Sequence, residues 1–96
     1  MCGIIGITSN KLVSSAIINS LRKLEYRGYD SAGIATLSDG IINEVKSEGR
    51  VDNLEKNLAI KNMPGFIGIG HVRWATHGVP NTINAHPHSS ENVSIV

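Results

Sequence analysis

An α+β fold is predicted by three features taken in chain order: an Ile-rich run at 2–8, an amphipathic run at 11–24, and two apolar runs, 32–37 and 41–46, hinged on Ser38-Asp39-Gly40. The first reads as a short strand bounded by Ser9-Asn10, in which Gly3 and Gly6 keep side chains away from the path of a substrate. In the second, Val13, Ile17, Leu21 and Leu24 recur at helical spacing, reinforced by Leu12, Ala16 and Ile18, with Ser9 or Asn10 as candidate cap. The third is a hairpin, because Asp-Gly between β-type segments is a strong local turn signal. Residues 25–31 break the helical period and mix aromatics with charge and a glycine, which predicts a loop rather than a further turn.

Further along, Asp52 followed by Glu55 resembles a capping box, and Leu54 with Leu58 gives one apolar stripe, so a short helix is expected over 52–60. Pro64-Gly65 ends that region, and 66–72 reads as a strand in which Gly68 and Gly70 mark a close approach to the backbone. Gly68-x-Gly70 lacks both the third glycine of a dinucleotide fingerprint and the Gly-Lys-Ser/Thr of a phosphate loop. Residues 73–90 show little periodicity, and 93–96 look like a strand that the chain end interrupts, the expectation for a fragment rather than a finished domain.

Composition narrows the function classes. The 96 residues are 41% hydrophobic and 18% charged, and nine Lys plus Arg stand against eight Asp plus Glu, for a net charge of +1. That describes a small soluble domain or part of one, without the basic footprint of nucleic-acid binding. No apolar run approaches the roughly 18 residues of a membrane span, and no charged region precedes the short apolar N-terminus as in a secretory signal. One cysteine makes no internal disulfide, so a reducing cytoplasm is expected.

That cysteine, Cys2, is where the chemistry concentrates. Removal of Met1 would give it a thiol and a free α-amine on one residue, with ordinary pKa values of about 8.5 and roughly 7.7–8.0. So closely matched a pair is a nucleophile with its own base, the amine taking the thiol proton and returning it to a leaving amine. The other use of such a cysteine is as an apolar residue opening a buried strand. Arg73-Trp74-Ala75-Thr76-His77-Gly78 places a planar cation, an aromatic, a hydroxyl and an imidazole on one loop. Arg73 suits the carboxylate of an amino acid through a bidentate pair, and a surface stack of Arg73 on Trp74 is the alternative. His71, His77, His86 and His88 lack the helical spacing and the second cysteine of zinc sites, so no metal is expected. His77 or His86 is expected to orient substrate or to be a hydrogen-bonded structural histidine.

Four segments in order, Met1-Cys2-Gly3-Ile4-Ile5-Gly6, Leu24 through Gly33 (LEYRGYDSAG), Gly70 through Gly78 (GHVRWATHG) and Asn84-Ala85-His86-Pro87-His88, resemble the class II glutamine amidotransferases. The wording of the second and third segments is similar to the N-terminal glutaminase domain of the isomerising glutamine:fructose-6-phosphate aminotransferases. The resemblance implies an N-terminal nucleophile (Ntn) hydrolase fold, a four-layer αββα sandwich, of which residues 1–96 are a partial domain truncated on its C-terminal side. It implies that Cys2 attacks the glutamine side-chain amide, without cofactor or metal, to release ammonia for conversion of fructose 6-phosphate to glucosamine 6-phosphate. It assigns Arg73 to the glutamine α-carboxylate, Thr76 and His77 to the same pocket, Trp74 to gating of ammonia, and Arg27 and Gly3 to shaping the surroundings of the nucleophile. The sugar isomerase domains, the Asn-Gly oxyanion donors and the acidic partner of the glutamine α-amine would lie beyond Val96, so the fragment alone is expected to be nearly inert. A homo-oligomer is expected of the full-length protein. The alternatives are another class II amidotransferase, of the amidophosphoribosyltransferase type, and an inactive remnant.

Overall fold

The computed structural model describes residues 1–57 and 63–96. Its framework is an antiparallel four-stranded sheet in the order β1-β4-β2-β3, built from β1 (Gly3–Thr8), β2 (Ser31–Ser38), β3 (Ile41–Glu48) and β4 (Ile67–Arg73). Two helices, α1 (Ser14–Leu24) and α2 (Val51–Glu55), follow β1 and β3. The hairpin between β2 and β3 turns at Asp39-Gly40, whose φ angles of 51° and 74° are the positive pair a two-residue hairpin loop needs.

The helix layer and sheet meet through β4. Its residues Gly68, Gly70 and Val72 pair with Thr36, Ile34 and Ala32 of β2, which fixes one face by the two-residue alternation of strands. On that face Ile17 and Leu21 of α1 bury completely with Ile34, Val51, Leu54 and Val72. A Cβ on Gly70 would stand 2.6 Å from Ile17 Cγ2, and one on Gly68 would stand 2.8 Å from Ile17 Cδ1. The close approach expected at these glycines is therefore that of a helix. Gly3 belongs to the same packing: its Cβ position lies 3.0 Å from Leu24 Cβ and from Val72 Cγ2, so it makes room for the core rather than for a substrate.

The opposite face carries Gly33, Ala35, His71 and Arg73, by the register Gly33↔His71 and Ala35↔Ile69. Residues 85–89 cross this face, with the His86 carbonyl oxygen 2.0 Å from where a Gly33 Cβ would sit. A two-stranded ribbon, β5 (His88–Ser89) with β6 (Ser94–Ile95), continues from there, and the Ser89 hydroxyl donates to the Glu44 carboxylate of β3. The described residues thus supply a helix layer, one full sheet and a short ribbon facing it.

Three local expectations are corrected. Residues 25–27 form a further, tighter turn, the 3₁₀ segment Glu25–Arg27, instead of a loop. Neither Ser9 nor Asn10 caps α1, which starts at Ser14 after Val13. The intervening segment is committed to β-type contacts, because Ser9 N–H donates to Phe66 O at 2.8 Å and Val13 N–H to Gly65 O at 3.2 Å. The capping box fails as well: α2 opens after Arg50 without a side-chain cap, and Asp52, already inside the helix, accepts from Arg22 Nη2 at 3.3 Å. Leu58 and the rest of the stripe expected up to residue 60 lie outside the described residues.

Gly70→Ala is expected to destabilise the fold by about 1–3 kcal/mol, the usual cost of overpacking a filled core, as read from urea denaturation midpoints. Gly6→Ala, whose nearest neighbours stand at 4.0 Å, serves as the neutral comparison.

Candidate active site

Antiparallel pairing of β1 with β4 sets Gly3 opposite Val72, and so brings the start of the chain to the end of β4, where the 73–78 loop begins. A cavity of about 360 Å³ opens there, lined by Cys2, His71, Arg73, Trp74, Thr76, His77, Asn84, His86 and His88. Its size suits a small polar ligand such as an amino acid. The thiol of Cys2 is exposed and points its Sγ to Trp74 O at 3.9 Å, so the residue does not open a buried strand. Arg27 comes from the 3₁₀ turn to donate from Nε to Cys2 O at 2.8 Å.

Arg73 is 7% exposed and does not stack on Trp74. Its guanidinium turns back into its own loop, with Nη1 donating to Val79 O at 3.3 Å and Nη2 to His77 O. Asn84 Nδ2 donates to the same Val79 carbonyl at 2.9 Å, which closes the loop on itself. A guanidinium has five N–H donors, so loop closure leaves Arg73 capacity for a bound carboxylate. The Trp74 and Tyr29 rings meet nearly at right angles, 5.4 Å between centroids and 78° between planes.

Sequence reasoning gave Asp30 no role, yet Asp30 holds this loop. Its carboxylate accepts from the backbone N–H of Ala75 and, at 3.1 Å, from Ser31 Oγ, while its own N–H donates to Arg73 O at 3.2 Å. Gly28 completes the grip by letting the backbones touch, since a Cβ there would lie 2.5 Å from the Arg73 carbonyl carbon. A charged residue two positions after a glycine in a turn was the available signal, but nothing in it names a partner 45 residues away.

Three imidazoles lie in a row along one wall, His71 tilted against His86 at 4.6 Å and His86 meeting His88 edge to face at 4.4 Å between centroids. Nδ1 of His71 and of His86 is buried without a hydrogen-bond partner among the described residues. Burial first, then the neighbouring His86 imidazole and the Arg73 guanidinium, push His71 down to about 4. Burial and His88 also lower His86. Both imidazoles are therefore neutral near pH 7, and neither adds a charge that would compete with Arg73. Among the described residues no group of three or more His, Cys, Asp or Glu side chains converges to hold a metal ion.

The His71 shift fixes a pH dependence. Its neutral form is favoured by folding, so its contribution is complete above the unfolded value near 6.5 and is lost as pH falls from there toward 4, where the unfolded chain binds the extra proton. The expected loss is on the order of 2 kcal/mol, below the full value of the shift because the cavity admits screening solvent. Urea denaturation at pH 7 and pH 5 should show it, and His71→Gln should remove that part of the slope. For the loop clamp, Gly28→Ala and Asp30→Ala should each raise the rate at which Cys2 is alkylated by iodoacetamide severalfold, by freeing the Trp74 carbonyl from the thiol.

No family model matches the chain. It is 52% identical over 96 residues to a glutamine–fructose-6-phosphate aminotransferase (isomerizing) of Agrobacterium fabrum, covering 100% of this chain and 16% of that protein. The corresponding protein of Brucella abortus is 55% identical over 96 residues, and that of Clostridium acetobutylicum 56% over 95 residues, each again covered to 16% of its length. The chain therefore spans about one sixth of the curated relatives it matches, at their N-terminal end. Among solved structures, a glutamine phosphoribosylpyrophosphate amidotransferase from B. subtilis superposes with a TM-score of 0.79 at 26% identity, over 98% of this chain and 20% of that one. Over its whole length the chain is thus more than one half identical to the N-terminal part of glutamine–fructose-6-phosphate aminotransferases, and its fold is that of an Ntn-type glutamine amidotransferase.

Proposed function

We propose that the chain is the glutamine-hydrolysing segment of an aminotransferase that passes ammonia to fructose 6-phosphate to make glucosamine 6-phosphate. The observation that carries this reading is the single cavity shared by Cys2, Arg73, Thr76 and His77, residues that lie about seventy positions apart and are joined by β1–β4 pairing. Similarity supports the same choice of acceptor: identity to the aminotransferases is 52–56%, against 26% to the phosphoribosylpyrophosphate enzyme. Residues 1–96 are read as the first part of a glutaminase domain, with the acceptor site and the oligomer contacts supplied elsewhere in the longer protein.

In the proposed reaction Met1, 76% exposed, is removed first, and the freed α-amine of Cys2 takes the thiol proton. The thiolate attacks the side-chain amide carbon of glutamine. The tetrahedral intermediate collapses with cleavage of the C–N bond, the amine returns its proton to the departing nitrogen, and ammonia leaves a γ-glutamyl thioester. Water, deprotonated by the same amine, then releases glutamate and restores the thiol. Arg73 pairs with the α-carboxylate, Thr76 and His77 border the pocket, and Arg27 holds the backbone of the nucleophile. Trp74, placed beside the thiol, controls where ammonia goes. No described helix is long and apolar enough to cross a membrane, and a thiol nucleophile fits a reducing cytoplasm.

Intact mass of the whole protein before and after a diazoketone analogue of glutamine tests the reading. Loss of Met1 and one adduct on Cys2 are expected, with no adduct in Cys2→Ala; an adduct elsewhere, or retained Met1 with undiminished glutaminase activity, refutes the mechanism. Arg73→Lys, which keeps charge but not the planar fork, should raise KM for glutamine by about tenfold or more, equivalent to roughly 1.4 kcal/mol or more.

A further inference from the structure

Trp74 is shared by two cavities. Trp74 lines the one that holds Cys2 and also a second, of about 250 Å³, whose other lining residues are Met1, Tyr26 and Arg27. It therefore stands where the two adjoin, and its orientation bears on the space between them. The side chain is 45% exposed, too open for packing to lock it, and the ring that meets it is Tyr29. Tyr29 is itself 44% exposed. Its other contact is Arg50, whose guanidinium carbon sits 4.8 Å from the Tyr29 ring centroid, and whose Nη1 lies 3.5 Å from Glu25 Oε2.

We propose that Arg50, acting through Tyr29, is a positioning residue that sets the orientation of Trp74. Arg50 comes from the turn ahead of α2, outside every segment that forms the pocket. The turn is tied in register beside the stack, since Gly49 N–H donates to Asp30 O at 2.8 Å and Asp30 N–H to Arg73 O at 3.2 Å. Those bonds bring the three backbones together, and the row Glu25, Arg50, Tyr29, Trp74 runs alongside them. Each contact restricts the next: the carboxylate fixes the guanidinium, the cation holds the face of the phenol ring, and the phenol ring meets the indole nearly at right angles. Removal of the cation leaves a half-exposed tyrosine without its cation partner, and the indole regains rotamers that the row excludes. The consequence for ammonia rests on the proposed glutaminase reading; the orientation of the indole does not.

Trp74 is the single tryptophan in the sequence, so its fluorescence reports this row directly. Arg50→Gln and Tyr29→Leu are each expected to raise the acrylamide quenching constant by up to about twofold, as an indole at 45% exposure approaches full exposure. Arg50→Lys, which keeps a cation over the ring, should restore most of the native value. Unchanged quenching in Arg50→Gln overturns the proposal, and so does a change that Arg50→Lys fails to reverse, because that pattern marks a loss of fold. In the whole protein, Arg50→Gln should release more ammonia per amino sugar formed at an unchanged KM for glutamine. Absence of any glutamine turnover would sink the functional reading while leaving the fluorescence result to judge Arg50.

Discussion

Contact of Ile17 with the bare backbone of β4 sets the geometry of everything else. Gly68 and Gly70 let α1 sit on the sheet closer than any side chain would permit, and Ile17 fills the gap with no exposure. With one face of β4 flattened in this way, the strand's other face carries its polar residues, His71 and Arg73. β4 is also flanked on both sides, by β1 and β2, so it cannot slide without breaking two ladders of hydrogen bonds. The position of Arg73 relative to Cys2 follows from that register and not from any contact between the two side chains.

A second layer of constraint acts on the loop after β4. Arg73 closes it from within through the His77 and Val79 carbonyls, and Asp30 holds it from outside through Ala75. Gly28 and Gly33 serve the same end on the other side of the cavity, each allowing one backbone to lie against another, at Arg73 and at His86. Arg73 is thus a building element of the pocket as well as a cation within it. Its fork of donors matters for both tasks, since a lysine would offer no second planar donor to the loop.

Much of the framework was legible because local signals and tertiary needs agree. The Ile-rich start, the period of Val13, Ile17, Leu21 and Leu24, and the Asp-Gly turn each name an element whose buried face the fold uses. The signals that misled were those of helix capping. Ser9 and Asp52 both have the chemistry of a cap, but Ser9 sits in a segment bonded to Gly65 and Phe66, and Asp52 is claimed by Arg22. Of the site, Cys2, the 73–78 loop and the four histidines were visible as residue types, whereas Asp30, Arg50 and the meeting of His71, His86 and His88 were not. Their importance lies in partners far along the chain, and a single sequence records residue types without recording who meets whom. Gly3 shows the opposite case: it stands beside the nucleophile in sequence, yet its missing side chain serves Leu24 and Val72 on the far face.

Arg27 binds Cys2 through the carbonyl oxygen, leaving both the thiol and the nitrogen of that residue untouched. The anchor consequently does not depend on what the nitrogen is attached to. Under the proposed mechanism, cleavage of the Met1–Cys2 bond would create a chain end already tethered on its carboxyl side, with no rearrangement needed to aim the residue. A terminus would ordinarily fray, and this one is held at the carbonyl of the same residue. On that reading, folding and removal of Met1 could occur in either order.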